Sequence, residues 1–327
     1  MYPTIAYWLF GAGLTLLALG GQCVVRGGVT LKRALGFSPV IVGLFAISLG
    51  SASPTLAVAA QATASNISGM AIGVVIGATL INLLLILGLG ALIQPMSSAP
   101  KVVLRDGGAL LAASLALVAL VLHGQIGRRE GVLLLGGLVV YAIIVAVSDW
   151  RQSSNHSVAC AAAENHALGQ IPSAGGGLFA VVVGVICLAL GAHFAVGAGA
   201  MLAVLWSLPP EAVALTAVAL GVSLPVLLIT AIASVRGHTQ IAIGHLISAS
   251  VFNLLGVLGL AALVRPLTVA PSFAAGDSFA VLGAALLLLA LLSTNWRLSR
   301  PKALALLLAY AGYLGFLAWR FHVAGLA

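Results

Sequence analysis

Two stretches decide the fold: Gly50-Ser51-Ala52-Ser53-Pro54, followed later by Asn82 and Leu83-Leu84-Leu85-Ile86-Leu87-Gly88, and Gly221-Val222-Ser223-Leu224-Pro225, followed by Asn253 and Leu254-Leu255-Gly256-Val257-Leu258-Gly259. From Gly50 to Gly221 and from Asn82 to Asn253 the step is the same, 171 residues. The register holds without a gap from Ala18 with Ala189 and Gly20 with Gly191, through Pro39 with Pro210 and Gly73 with Gly244, to Pro95 with Pro266. The chain is a duplicated unit.

Of its 327 residues, 62% are hydrophobic and 6% charged, too few polar groups to cover a soluble globule of this size. A helix crossing a bilayer needs about 20 apolar residues. That length gives ten spans, near 4 to 25, 38 to 64, 70 to 94, 107 to 123, 131 to 148, 176 to 204, 210 to 235, 240 to 264, 273 to 293 and 303 to 321. The expected architecture is an all-α membrane protein of about ten transmembrane helices, arranged as two inverted five-helix repeats. The first repeat covers 1–148, a polar connecting loop 149–175, and the second repeat 176–327.

The net charge of +8 arises from Lys and Arg placed singly or in pairs between apolar runs, with no basic face interleaved with aromatics, so no nucleic-acid partner is expected. These residues read instead as topology signals. Loops after the odd-numbered spans hold Arg26, Lys32, Arg33, Lys101, Arg105, Arg151, Arg236, Arg297, Arg300 and Lys302, whereas the other side holds Arg128, Arg129, Arg265 and Arg320. Both termini are therefore expected on the non-cytoplasmic side. Five spans per copy, an odd number, makes the copies enter from opposite sides, as in secondary transporters whose site lies at the midplane where the repeats meet. Cys23, Cys160 and Cys187 form neither a disulfide framework nor a metal pattern.

Gly and Pro within Gly50–Pro54 and Gly221–Pro225 weaken a helix and leave a carbonyl without its donor, and such backbone at membrane depth needs a side chain, water or an ion. Small residues and Pro also serve ordinary helix contacts, but duplicated breaks in an inverted repeat point to a binding site. Asn82 and Asn253 each have a hydroxyl three residues earlier, Thr79 and Ser250, on the same helical face. A lone Asn in a span is often interhelical glue; the same polar stripe in both copies reads as site lining.

These residues resemble the alpha repeats of the sodium/calcium exchangers of the cation/calcium antiporter superfamily, which read Gly-Thr-Ser-x-Pro-Glu in one helix and Gly-Asn-x-x-Gly-Ser-Asn-x-x-Asn/Asp in the next. Matches are Gly50, Pro54, Gly73, Gly77 and Asn82 in the first copy and Gly221, Ser223, Pro225, Gly244 and Asn253 in the second. The resemblance implies two core helix pairs holding the ion, with the first and sixth spans as long tilted helices sliding past them. Where the family places its two glutamates this chain has Thr55 and Val226, and its Gly-Asn becomes Gly73-Val74 and Gly244-His245. The six acids, Asp106, Glu130, Asp149, Glu164, Glu211 and Asp277, fall in loops or near span ends, so a core without carboxylate is expected.

Calcium takes six to eight oxygens, normally including carboxylates. A site of Ser51, Thr55, Thr79, Asn82, Ser223, Ser250 and Asn253 with freed carbonyls suits a monovalent cation instead, sodium against another cation or protons. His245 is a possible proton carrier, but Val74 at its matching position and the lack of an acid partner favour a histidine bonded to a backbone carbonyl near a span end; His193 in the sixth span takes that second reading too. No metal ligand set, cofactor motif or soluble-enzyme motif is found, and no enzyme activity is expected. Two other readings stand: a transport-inactive scaffold of the same fold, and a carrier of an anion or small polar solute, since hydroxyl and amide donors at half-helix ends suit anions.

Overall fold

The computed structural model describes residues 3–35, 39–150, 173–235, 239–271 and 273–324. The connecting loop, with Arg151, His156, Glu164 and His166, lies almost wholly outside the described residues, as does Cys160.

Ten spans form. Span one is Pro3–Leu35 and span two Pro39–Ala64. Span three runs as Ser68–Leu80, a π-helical turn Ile81–Ile86, and Leu87–Ile93. Span four is Pro100–Leu122, span five Arg128–Trp150 and span six Ala174–Leu205. Span seven runs as Pro210–Val213, a π-helical turn Ala214–Val218, and Ala219–Val235. Span eight repeats span three: Thr239–Val251, a π-helical turn Phe252–Val257, and Leu258–Val264. Span nine opens with a π-helical turn Phe273–Asp277 and continues as Ser278–Ser293; span ten is Arg300–Ala324. Among the described residues, eight helices are long and apolar enough to cross a membrane. Proline at the first helical turn, where its missing N–H costs nothing, starts spans four and seven, and the Ser173 hydroxyl caps span six by accepting from the Gly176 N–H at 3.1 Å.

The inverted arrangement is visible in two small ladders. β1 (Met96–Ser97), after span three, pairs antiparallel with β4 (Arg297–Leu298), after span nine; β2 (Gln125–Ile126), after span four, pairs with β3 (Leu267–Thr268), after span eight. Moving each strand to its repeat counterpart turns one ladder into the other. The loop after span three and its counterpart after span eight thus belong to different ladders, one on each side. The turn before span five keeps its left-handed residue in both copies, Gly124 at φ 78° and Asn295 at φ 88°; Trp296 at φ 53° is the residue inserted in the second copy. Beyond it the counterpart offset becomes one greater, so Tyr141 matches Tyr313.

Spans one and six, 33 and 32 residues, are each about 50 Å long at 1.5 Å per residue, well beyond a bilayer core. Span one continues past the expected end near 25 to Leu35. The two pack antiparallel through glycines seven residues apart. A Cβ at Gly13 would stand 3.0 Å from the Gly191 carbonyl oxygen, at Gly20 2.8 Å from that of Gly184, and at Gly27 2.5 Å from that of Gly177. Backbones meet there directly, as small residues permit where lipid offers no hydrophobic drive.

Candidate functional site

The expected breaks at Gly50–Pro54 and Gly221–Pro225 are not breaks. The helices run through both prolines, Pro54 inside Pro39–Ala64 and Pro225 inside Ala219–Val235. A helical proline removes the donor to the carbonyl four residues earlier, here Gly50 and Gly221. Each Gly-x-x-x-Pro motif therefore frees one carbonyl without ending the helix. The irregular backbone that matches between the repeats lies one helix further on, in the π-helical turns carrying Asn82 and Asn253; the turn Ala214–Val218 of span seven has no such match.

Each π turn packs across the repeat boundary. The turn of span three lies against spans seven and eight, and that of span eight against spans two and three. Four core spans thus converge on the two turns. Glycines permit the approach: a Cβ at Gly77 would stand 2.5 Å from the Leu215 carbonyl oxygen, and one at Gly73 3.0 Å from the Ala214 Cβ. The family-matching glycines of span three act as packing surfaces for span seven.

Asn82 and Asn253 are each 3% exposed, and in both the amide Oδ1 is buried with no hydrogen-bond partner. An orphaned buried acceptor costs about 1–3 kcal/mol. Two such acceptors stand at repeat-matched positions. Thr79 and Ser250 are fully buried; Thr79 donates its hydroxyl proton to the Val75 carbonyl and Ser250 to that of Leu246, both at 2.8 Å. With the proton held on the helix's own backbone, each hydroxyl turns only lone pairs outward. Ser51, Thr55 and Ser223 are buried on spans two and seven. His245 is half-buried on span eight, eight residues before Asn253 and so about 12 Å along the axis. His193 is exposed on span six, its Nδ1 3.4 Å from Gln61 Nε2.

The expectation of a core without carboxylate needs correction. Asp106 is 2% exposed and Asp277 fully buried, at matching positions of the repeats. Asp106 holds Arg105 through Nε at 2.7 Å and Nη2 at 3.2 Å; Arg105 also reaches the Ser148 hydroxyl, and Tyr141 beside Asp106 bonds Ser248 at 2.9 Å. Asp277 accepts from Tyr313 and from Arg320, both at 3.0 Å. A charge taken from water into the bundle survives only when paired, and each aspartate is met by an arginine and a tyrosine. Among the described residues no three His, Cys, Asp or Glu side chains gather into a metal-binding group.

A bundle of two inverted five-helix repeats, with a buried asparagine in a matching π turn of each and two long antiparallel helices packed through glycines, is the build of a secondary membrane transporter. The family model of the sodium/calcium exchanger protein matches the chain twice, over residues 5–147 and 176–319. The chain is 31% identical over 319 residues to the inner membrane protein YrbG of Escherichia coli K12, covering 96% of this chain and 95% of that protein. It is 28% identical to the putative antiporter CaxA of Alkalimonas amylolytica (92% and 95% covered) and 25% identical to the sodium/calcium exchanger MaX1 of Methanosarcina acetivorans (95% and 98%). A solved structure of the sodium-calcium exchanger NCX_Mj aligns with TM-score 0.65 at 22% identity, covering 95% of this chain and 98% of that one. The chain belongs to the sodium/calcium exchanger family of multi-pass membrane antiporters.

Proposed function

We propose that this antiporter exchanges a monovalent cation, sodium against another cation or protons, by alternating access, with both termini on the non-cytoplasmic side. The cation sits between Asn82 and Asn253, completed by Ser51, Thr55, Thr79, Ser223, Ser250 and the carbonyls of Gly50 and Gly221. The repeats 1–148 and 176–327 are the two units that frame it, joined by the loop 149–175. One observation carries the reading: two repeat-matched amide oxygens, buried and without a partner. An oxygen-only, uncharged set can replace the water around a monovalent ion. For calcium the cost of dehydration is several kcal/mol larger than neutral dipoles offset, and the aspartates of the bundle are already paired to arginine.

The same chemistry disfavours an anion carrier. The hydroxyl protons of Thr79 and Ser250 are committed to backbone carbonyls, so these groups have only acceptors to offer a ligand. Titration calorimetry on the purified protein tests the reading. Sodium binding that is lost in Asn82→Ala, with no micromolar calcium isotherm, is the expected result. A micromolar calcium site that disappears in Asn82→Ala would overturn the specificity, and no cation binding by a well-folded protein would favour the transport-inactive scaffold.

A further inference from the structure

Span one touches both Gly-x-x-x-Pro motifs from one face. A Cβ at Gly21 would stand 3.0 Å from Pro54 Cγ and 3.7 Å from Ser53 Oγ. Two turns earlier, Leu14 lies flat on Gly221: from the place where a Cβ would stand, its two Cδ atoms are at 2.3 and 2.6 Å and its Cγ at 2.9 Å. Between them Leu17 is fully buried. The Leu14 isobutyl group thus covers the glycine whose carbonyl Pro225 has freed.

The repeat counterpart of Leu14 is Val185 on span six, and there the two-fold match fails. Val185 is 54% exposed, whereas Ala192, the counterpart of Gly21, is 1% exposed. A branched apolar side chain is present at both positions, but only one is seated. In an inverted-repeat transporter the opposite state is the present one with the repeats exchanged. Exchange puts Val185 on Gly50 and lifts Leu14 from Gly221. Spans one and six meet backbone to backbone at their paired glycines and so move as one body, which makes the two seatings exclusive.

We propose that Leu14 and Val185 are the alternating apolar plugs of the transport cycle, each sealing the glycine of one Gly-x-x-x-Pro motif. This rests on the transport reading above. The test uses the full chain in proteoliposomes, with Cys23, Cys160 and Cys187 replaced by Ser, carrying either Leu14→Cys with Gly221→Cys or Val185→Cys with Gly50→Cys. A short bifunctional thiol reagent bridges the pairs, and sodium-driven cation exchange is read before and after bridging and again after release of the bridge. Both pairs are expected to bridge, each bridge to lower exchange about tenfold or more, as expected when one rigid unit must move, and release to restore it. Exchange that persists with the Leu14/Gly221 bridge formed overturns the proposal, as does a Val185/Gly50 pair that never bridges in a protein that exchanges normally. A cysteine-free parent with no exchange under any gradient, in which the Leu14/Gly221 bridge still forms, instead removes the transport reading and the plugs with it. Leu14→Ala guards against misfolding of the double variants: it is expected to fold and to leak cation downhill without counter-ion, and tight coupling in this variant also overturns the plug.

Discussion

Replacing Asn82 and Asn253 together by Leu tests the pocket through stability as well as binding. Leucine is close to asparagine in shape, branched at Cγ, so little packing is disturbed. What disappears is a buried amide oxygen with no partner in each repeat. Such a group costs about 1–3 kcal/mol, so the ion-free double variant is expected to be at least as stable as the ion-free wild type and to gain up to that amount per site. Wild-type protein, in contrast, is expected to gain about 2.7 kcal/mol from a cation at a hundred times its Kd, by mass action, and the double variant nothing. Thermal unfolding in detergent, scanned over sodium concentration, reads both effects: the wild-type midpoint climbs with sodium, and the variant midpoint starts as high or higher and stays flat. If the variant midpoint climbs with sodium as the wild type does, the amide oxygens are not ligands. If the ion-free variant is much less stable, those oxygens have partners and the premise is wrong.

Three further outcomes follow from other parts of the bundle. Gly20→Val puts a branched side chain where even a Cβ is 2.8 Å from the Gly184 carbonyl and 2.9 Å from the Leu188 nitrogen, with backbone on both sides unable to yield; a loss of about 1–3 kcal/mol or more is expected, read as folded yield and midpoint, while Gly11→Ala, with nothing within 4 Å, is neutral. Asp277→Ala leaves the Arg320 guanidinium, 14% exposed, without its carboxylate and is expected to cost about 3–5 kcal/mol, whereas Asp277→Leu with Arg320→Leu costs much less, as measured by the same unfolding scans. His245→Ala is expected to leave the sodium-dependent rise in midpoint intact, because the ring lies about 12 Å along the helix from Asn253; flux that keeps its full pH dependence in this variant removes the histidine as proton carrier, and flux that loses it assigns that role.

The repeat was legible because inverted copies keep the same neighbours: the glycines, prolines and asparagines that fit one copy's packing fit the other's at a constant step. The ten spans followed from hydropathy for the same reason that a bilayer admits little else. Proline gave a misleading signal. It suggested helix breaks at Pro54 and Pro225, but the helices run through both, and the irregularity that matches between the repeats appears at Asn82 and Asn253, where no residue type announces a π turn. The burial of Asp106 and Asp277 does not show in their positions near span starts, where carboxylates are usually solvated; yet they share the repeat step, and with Tyr141 and Tyr313, shifted by the inserted Trp296, they form a signal that comparison of the copies reveals. The two-residue ladders lay below what alternation can show. Leu14 differs from the six other leucines of the first span only by what lies under it.

Cation exchange in proteoliposomes under an imposed sodium gradient measures the central claim most directly. Labelled rubidium, labelled calcium and a pH-sensitive dye are compared in wild type and in Asn82→Ala with Asn253→Ala. Sodium-driven flux of a monovalent cation or protons, without calcium flux and abolished in the double variant, is the predicted result. Sodium-driven calcium flux abolished by the same variant would contradict the account, because neutral oxygens would then be enough to strip and hold a divalent ion.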